Sequence, residues 1–179
     1  MGIEIEKKFT VKSLPEDLTK YPYHEIEQGY LNVHPAIRVR RQDDIYYMTY
    51  KSSAISENTD NIGQTEYNMP LDEQSYEHLA QKADGNVIRK TRYLIPLNED
   101  AYSEAYLSDT PELDKLIKDG KMVIELDVFK APFDGTIVAE VEFPSEEAAA
   151  AYKPAPWFDK DVTSDPKYRN SYMSSLKLG

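Results

Sequence analysis

The 179-residue chain has no cysteine. That excludes disulfides and thiolate metal sites, and it fits a cytoplasmic protein. Basic residues are in the minority, 21 Lys and Arg against 32 Asp and Glu, for a formal net charge of −11. Uncompensated acid repels phosphate backbones, so no dedicated nucleic-acid binding is expected; a small anion remains admissible where cations gather at one site or metals intervene. Long apolar runs are missing as well, and no stretch approaches the roughly 20 residues of a membrane span. Charge begins at Glu4, which leaves no signal-peptide apolar core. The Met-Gly start is not a myristoylation signal, because Glu6 stands where Ser or Thr is wanted. Histidine is sparse, and His24, His34 and His78 are scattered, so loop or surface roles are expected of them rather than catalysis. No internal repeat and no low-complexity tract is present.

What remains is a composition of 40% hydrophobic and 30% charged residues with 14 Tyr, that of a soluble globular chain. The length allows one domain over residues 1–179 with a sizeable core. Alternation with a period of two predicts strands. In residues 3–9, Glu4, Glu6 and Lys8 share one face, while Ile3, Ile5, Lys7 and Phe9 share the other. Residues 36–41 set Arg38 and Arg40 against Ile37 and Val39, and residues 45–51 set Tyr47, Thr49 and Lys51 against Tyr46, Met48 and Tyr50. Gln42, Asp43 and Asp44 between them suit a hairpin turn. Further strands are expected over 64–69, 86–95, 121–129 and 137–143, with 28–33 a weaker candidate. Helices are expected over 72–83, 144–152 and 166–176, and a short one over 111–118 ended by Gly120. The polar stretch 52–63 reads as a loop.

Aligned by parity, the strands repeat one pattern: an apolar or aromatic face and a charged face. The charged rows hold Glu4, Glu6, Lys8, Arg38, Arg40, Lys51, Glu66, Lys90, Arg92, Glu125, Asp127, Glu140 and Glu142. An open sheet would turn these rows to water. The expected helices are few for covering so many strands on one side, whereas closing the sheet on itself turns the charged face into the lining of a tunnel. Both arrangements fit the pattern. Arg offers a planar fork to phosphate oxygens and Lys a mobile point charge. Carboxylates at i, i+2 offer hard oxygen ligands to Mg²⁺ or Mn²⁺. A face with both suits a polyphosphate–metal complex. Without ligands, the crowded acids would repel one another and shift upward in pKa.

The ordered motifs resemble the CYTH superfamily, the triphosphate tunnel metalloenzymes. Glu4-Ile5-Glu6-Lys7-Lys8-Phe9 matches the E-x-E-x-K signature. Ile37-Arg38-Val39-Arg40, Tyr50-Lys51, Lys90-Thr91-Arg92-Tyr93, Ile124-Glu125-Leu126-Asp127-Val128-Phe129 and Ala139-Glu140-Val141-Glu142-Phe143 follow in order. Trp157-Phe158, Val162-Thr163 and Tyr168-Arg169-Asn170-Ser171 look like the closing segment of compact bacterial members. The resemblance implies an α+β fold, a closed antiparallel eight-stranded β-barrel with helices packed outside, binding a triphosphate with one or two Mg²⁺ or Mn²⁺ ions. Two departures stand out. Residues 97–120 look longer than a tight turn, an insertion expected to cover or extend a tunnel mouth. Gln64 stands where many relatives carry a basic residue, which would weaken one phosphate contact.

On this resemblance Arg38, Arg40, Lys51, Lys90 and Arg92 hold phosphoryl oxygens, with Arg169 as a further phosphate ligand. Glu4, Glu6, Asp127, Glu140 and Glu142 organise the metal, with Glu66 and Glu125 beside or among its ligands. Lys8, Glu4 and Glu6 are the catalytic group, Lys8 stabilising charge at the reacting phosphate. The implied activity is metal-dependent hydrolysis of tripolyphosphate or a nucleoside triphosphate. The same tunnel also serves adenylate cyclases and thiamine triphosphatases, and a non-catalytic polyphosphate-binding module is the alternative outside enzymology.

Overall fold

Alternation in the sequence becomes an antiparallel sheet closed on itself. The computed structural model describes residues 2–52 and 63–178. The expected loop over 52–63 otherwise lies outside the described residues. The strands are β1 (Gly2–Val11), β2 (Tyr23–Val33), β3 (Ala36–Gln42), β4 (Ile45–Ser52), β5 (Gly63–Leu71), β6 (Asp84–Pro96), β7 (Val123–Phe129), β8 (Ile137–Phe143) and β9 (Phe158–Asp161). They are ordered β5-β4-β3-β2-β6-β7-β8-β1, and a β1–β5 pairing closes the ring. β9 lies outside it, paired to the end of β1 at Phe9 and Val11. Closure removes the free edges of eight strands. β9, with Asp159, Lys160 and Asp161 exposed, is short and charged in the manner of a protected edge.

Among the described residues, five helices accompany the barrel: α1 (Glu73–Ala80), α2 (Glu104–Asp109), α3 (Pro111–Lys118), α4 (Glu146–Ala151) and α5 (Asn170–Ser175). α1 begins at Asp72, whose carboxylate accepts from Ser75 N at 2.7 Å. α4 begins at Ser145, whose Oγ accepts from Ala148 N at 3.1 Å. Two elements differ from expectation. The predicted 166–176 helix is a 3-10 turn, Pro166–Tyr168, followed by α5, because Arg169 between them is extended. α2 is an additional short helix capped by Ser103.

The principal core lies outside the barrel wall. Phe9, Ile124, Leu126, Ala139, Val141 and Phe143 point outward and pack with Leu113 of α3 and Ala148 and Ala149 of α4. Phe9 stacks on Phe158 with ring centroids 4.6 Å apart. Each fully buried aliphatic side chain here is worth about 1.5–3 kcal/mol relative to exposure. Residues 97–120 join this core through Ala101, Tyr102 and Leu113, and Tyr102 Oη donates to Ala148 O at 2.9 Å. Inside the barrel, a smaller cluster of Tyr30, Ile88, Phe129, Phe133, Val138 and Met173 forms an apolar floor where α5 packs on β6 and β2. Ile88, Phe129 and Val138 continue the rows of Lys90, Asp127 and Glu140. Each row thus runs from charged to apolar.

α5 is held there by close backbone contact. Gly85 has φ +69°, and a Cβ on it would stand 2.1 Å from Ser174 O. Next to it, Asn86 Nδ2 donates to Met173 O and Leu176 O at 3.2 and 2.7 Å.

Candidate active site

Strand register decides which charges meet. Across β1 and β8, Glu6 faces Glu142 and Lys8 faces Glu140. Across β7 and β8, Glu125 faces Glu140, and across β6 and β7, Arg92 faces Asp127. On the other wall, Arg40 lies between Gln28 of β2 and Tyr47 of β4, Arg38 between Tyr30 and Thr49, and Lys51 opposite Glu66. All of these share the inward parity. Like charges directly opposite destabilise a sheet unless other groups intervene.

Ion pairs intervene. Lys8 Nζ is 3.1 Å from Glu140 and 3.5 Å from Glu6. Arg92 is the hub: it pairs with Glu125, donates to both Asp127 oxygens at 2.6 and 2.7 Å, and reaches Glu140 at 2.8 Å. Lys90 and Asp127, both 0% exposed, are 2.5 Å apart. Lys51 pairs with Glu4 and lies 3.5 Å from Glu6. β1 is fixed at this point by residues after β9: Lys8 N donates to Thr163 Oγ1 at 3.0 Å and Val162 N to Lys8 O at 2.8 Å.

The charge states follow from these neighbours. Burial opposes the Lys8 ammonium, but Glu140 and Glu6 outweigh it and raise its pKa. Burial likewise opposes the Glu140 carboxylate, yet Lys8 and Arg92 hold it well below the usual range. Lys90 is pushed down to about 8 by burial, with Arg92 and Arg40 adding to the effect against the pull of Asp127. Glu125 is raised by burial, with Glu140 and Asp127 adding to it. Glu142 opens to solvent, yet partial burial together with Glu4, Glu125, Glu6 and Glu66 pushes it up to about 7. The carboxylate crowding expected from sequence is therefore concentrated at Glu142.

Arg38 and Arg40 are in a different state. Arg40 is held by neutral partners, Gln28 Oε1 at 2.7 Å and Tyr47 Oη at 3.1 Å. Arg38 Nε is buried without a hydrogen-bond partner among the described residues. The structure thus gathers Glu4, Glu6, Lys8, Arg38, Arg40, Lys51, Glu66, Lys90, Arg92, Glu125, Asp127, Glu140 and Glu142 around one lumen. Arg169 is not gathered with them. It is exposed at the start of α5, and among the described residues its side chain forms no hydrogen bond or ion pair. Its neighbour Asn170 is buried and accepts from Lys90 Nζ at 3.4 Å. The Gln64 side chain lies outside the described residues. Gln28, Tyr47 and Asn170 are the lining residues that charge parity alone passes over, since none carries formal charge. Tyr168-Arg169-Asn170-Ser171 marked the segment but not the residue.

Among the described residues, no group of three or more His, Asp or Glu stands close enough to hold a metal ion as placed. Two observations nevertheless fit a divalent cation. Glu66 Oε2 is buried without a hydrogen-bond partner among the described residues, with Lys51 Nζ 3.9 Å away, and Glu142 is crowded by Glu4, Glu6, Glu66 and Glu125. Hard oxygen donors in surplus are the set that Mg²⁺ or Mn²⁺ takes.

No family model matches the chain. An inorganic triphosphatase of Nitrosomonas europaea is 32% identical over 175 residues, 96% of each chain. An inorganic triphosphatase of Acetivibrio thermocellus is 29% identical over 183 residues, covering 97% of this chain and 94% of the relative. A crystal structure of an inorganic triphosphatase matches with a TM-score of 0.64 at 31% identity, covering 100% of this chain and 99% of that one. With one relative above 30% identity over nearly the full length of both chains, the chain belongs to this inorganic triphosphatase family.

Proposed function

We propose that the chain hydrolyses the terminal phosphoanhydride of a triphosphate, with inorganic tripolyphosphate as substrate and Mg²⁺ or Mn²⁺ as cofactor. One observation carries the reading: Arg38 Nε without an acceptor and an Arg40 guanidinium held only by neutral partners share a lumen with Glu66 Oε2, which has no donor, and with the crowded carboxyl of Glu142. A triphosphate with a divalent cation satisfies both sets at once. The names of the relatives support the substrate.

In this reading Arg38 and Arg40 receive phosphoryl oxygens first: Arg40 has only neutral hydrogen-bond partners, and Arg38, though attracted to Glu66, keeps Nε without an acceptor. Lys51, Lys90 and Arg92 join as the anion competes with their present partners. Glu4, Glu6, Glu66, Glu125, Asp127, Glu140 and Glu142 supply the oxygens that would hold one or two metal ions. Such an ion, when bound, neutralises phosphate charge and acidifies water. A water oxygen attacks the terminal phosphorus in line; its P–O bond forms as the bridging P–O bond breaks, yielding orthophosphate and diphosphate. Lys8, raised in pKa, stays an ammonium throughout, so it stabilises phosphoryl charge rather than transferring a proton. The apolar floor and α5 keep bulk water from that end of the lumen. A compact bacterial enzyme of the cytoplasm fits the cysteine-free sequence.

Phosphate release from tripolyphosphate, ATP, GTP and thiamine triphosphate, with Mg²⁺ or Mn²⁺ and with cyclic AMP measured alongside, tests the proposal. Tripolyphosphate should be the best substrate, and chelation should abolish turnover until metal is restored. Full turnover without metal would remove the metal from the reading. Tight binding of tripolyphosphate with no product from any of the four would replace the enzyme with a binding module.

A further inference from the structure

Gln28 lies on β2 with 0% exposure, inside a lumen whose other polar residues are mostly charged. Directly opposite on β3 is Arg40, whose Nε donates to Gln28 Oε1 at 2.7 Å. A guanidinium only donates, so the amide oxygen must face Arg40 and the amide nitrogen must face away. That nitrogen is buried and has no hydrogen-bond partner among the described residues. Arg38 Nε, at the next inward position of β3, is in the same state. A buried N–H without an acceptor is costly, and folded proteins keep few of them. Two such donors on adjacent strands in a cation-rich wall call for one acceptor between them, and a phosphoryl oxygen is the strongest acceptor the proposed substrate offers.

The local backbone is shaped to hold the amide there. β2 shifts register against β6 between Gln28 and Tyr30, and against β3 between Tyr30 and Asn32. Such irregularities re-aim side chains near binding sites. Between Gln28 and Tyr30 sits Gly29, where a Cβ would lie 2.6 Å from that of Ala83. The absence of charge at Gln28 also matters. Burial and the neighbouring Arg38 already push Arg40 downward in pKa, so a third cation would add repulsion where an amide adds only a donor.

We propose that Gln28 is a further substrate-contacting residue: Oε1 orients the Arg40 guanidinium, and Nε2 donates to a phosphoryl oxygen of the bound triphosphate. This inference rests on the triphosphate reading above. It makes Gln28, Arg38 and Arg40 one anion seat, with a neutral donor setting the angle of a charged one.

The test compares Gln28→Glu and Gln28→Met with wild type in the full chain, using tripolyphosphate as the probe. Gln28→Glu keeps an oxygen on Arg40 but removes the donor and faces the anion with a carboxylate. Its Kd by calorimetry and its KM should rise about 10- to 100-fold, as for the loss of a hydrogen bond to a charged group. Its kcat should change less than its KM, and its melting temperature should not fall. Gln28→Met loses both contacts and should weaken binding while also lowering the melting temperature. Kd and KM of Gln28→Glu within about two-fold of wild type, the ordinary scatter of near-neutral changes, would overturn the proposal and leave Gln28 a structural partner of Arg40. A wild type that binds no tripolyphosphate would overturn the triphosphate reading instead. An NMR measurement on wild type needs no variant to fold: the Gln28 side-chain amide resonances should move on addition of tripolyphosphate, and unmoved resonances would overturn the proposal.

Discussion

At the scale of single residues, strand parity separates chemistry from packing. Glu6 and Lys7 are neighbours in sequence, yet Glu6 faces Glu142 in the lumen while Lys7 lies beside Val141 on the outer face. Glu6→Gln should lower kcat by a factor on the order of 100, the scale of losing one preorganised electrostatic group. Lys7→Gln should leave kcat within about two-fold, as expected of a group that makes no contact in the transition state. Steady-state phosphate release on both variants checks this, and equal losses would mean that the inward parity of β1 does not govern catalysis. Arg40 offers a second contrast. Its Nε and Nη1 serve two different neutral partners, which an ammonium cannot do in the same plane. Arg40→Lys should therefore weaken tripolyphosphate binding by about 10-fold or more although the charge is kept. Calorimetry that finds wild-type affinity would show that charge alone suffices there.

At the scale of elements, outward-facing polar contacts dock helices on the barrel. Tyr76 of α1 donates to Glu27 Oε1 at 3.0 Å, and Arg89 of β6 donates to Oε2 at 2.8 Å. Burial disfavours the Glu27 carboxylate, but the hydrogen bonds from Tyr76 and Arg89 outweigh it and hold its pKa below the ordinary 4.5. A carboxylate depressed on folding stabilises above its unfolded pKa, and that contribution is lost as pH falls through the folded value. Tyr76→Phe should cost about 1–2 kcal/mol at pH 7 in urea unfolding. The stability gap between wild type and Glu27→Gln should narrow as pH drops below about 4.5, where the unfolded carboxyl begins to protonate. A gap independent of pH would place the Glu27 contribution in packing. Glycine gives the complementary test for α5. Gly85 and Gly120 both have positive φ, but only at Gly85 does backbone crowd the missing Cβ. Gly120→Ala should cost about 1 kcal/mol in backbone strain alone. Gly85→Ala should cost about 2–5 kcal/mol, because Ser174 and α5 must also move. Equal losses in urea unfolding would mean that α5 yields freely.

These elements also mark how far the sequence can be read. Strands β1, β3, β4, β6, β7 and β8 were legible because one row is apolar and the other charged, a contrast that survives closure into a barrel. The first half of β2 was not. Tyr23, His24, Glu25, Ile26 and Glu27 mix polar residues on both faces, and their outward partners, Arg89, Thr91 and Lys130, are distant in sequence. β9 is four residues long and mostly charged, so only its pairing to β1 makes it a strand. Within the site, charged residues advertised themselves, while Gln28 and Asn170 acquire meaning only from Arg40 and Lys90 across the lumen.

At the scale of the whole molecule, the barrel encloses charge that it only partly neutralises itself. Among the described residues, Lys8, Lys51, Lys90 and Arg92 are paired with carboxylates, while Glu66 keeps a buried oxygen without a donor and Arg38 keeps a buried donor without an acceptor. An anion alone would relieve the donors but repel the acids. A divalent cation alone would relieve the acids but leave the donors unmet. The two ligands should therefore bind with positive coupling, and the coupling must be equal in both directions. Thermal melting tests this on the wild-type chain with Mg²⁺ alone, tripolyphosphate alone, and both at fixed free concentrations. Ligand at about 100 times its Kd stabilises by about 2.7 kcal/mol. For a chain of 179 residues, that corresponds to a rise in melting temperature of roughly 5–10 °C. Together the two ligands should raise the melting temperature by more than the sum of their separate effects. Strict additivity would mean that cation and anion occupy independent sites, and the shared-lumen account of the chemistry would then have to be given up.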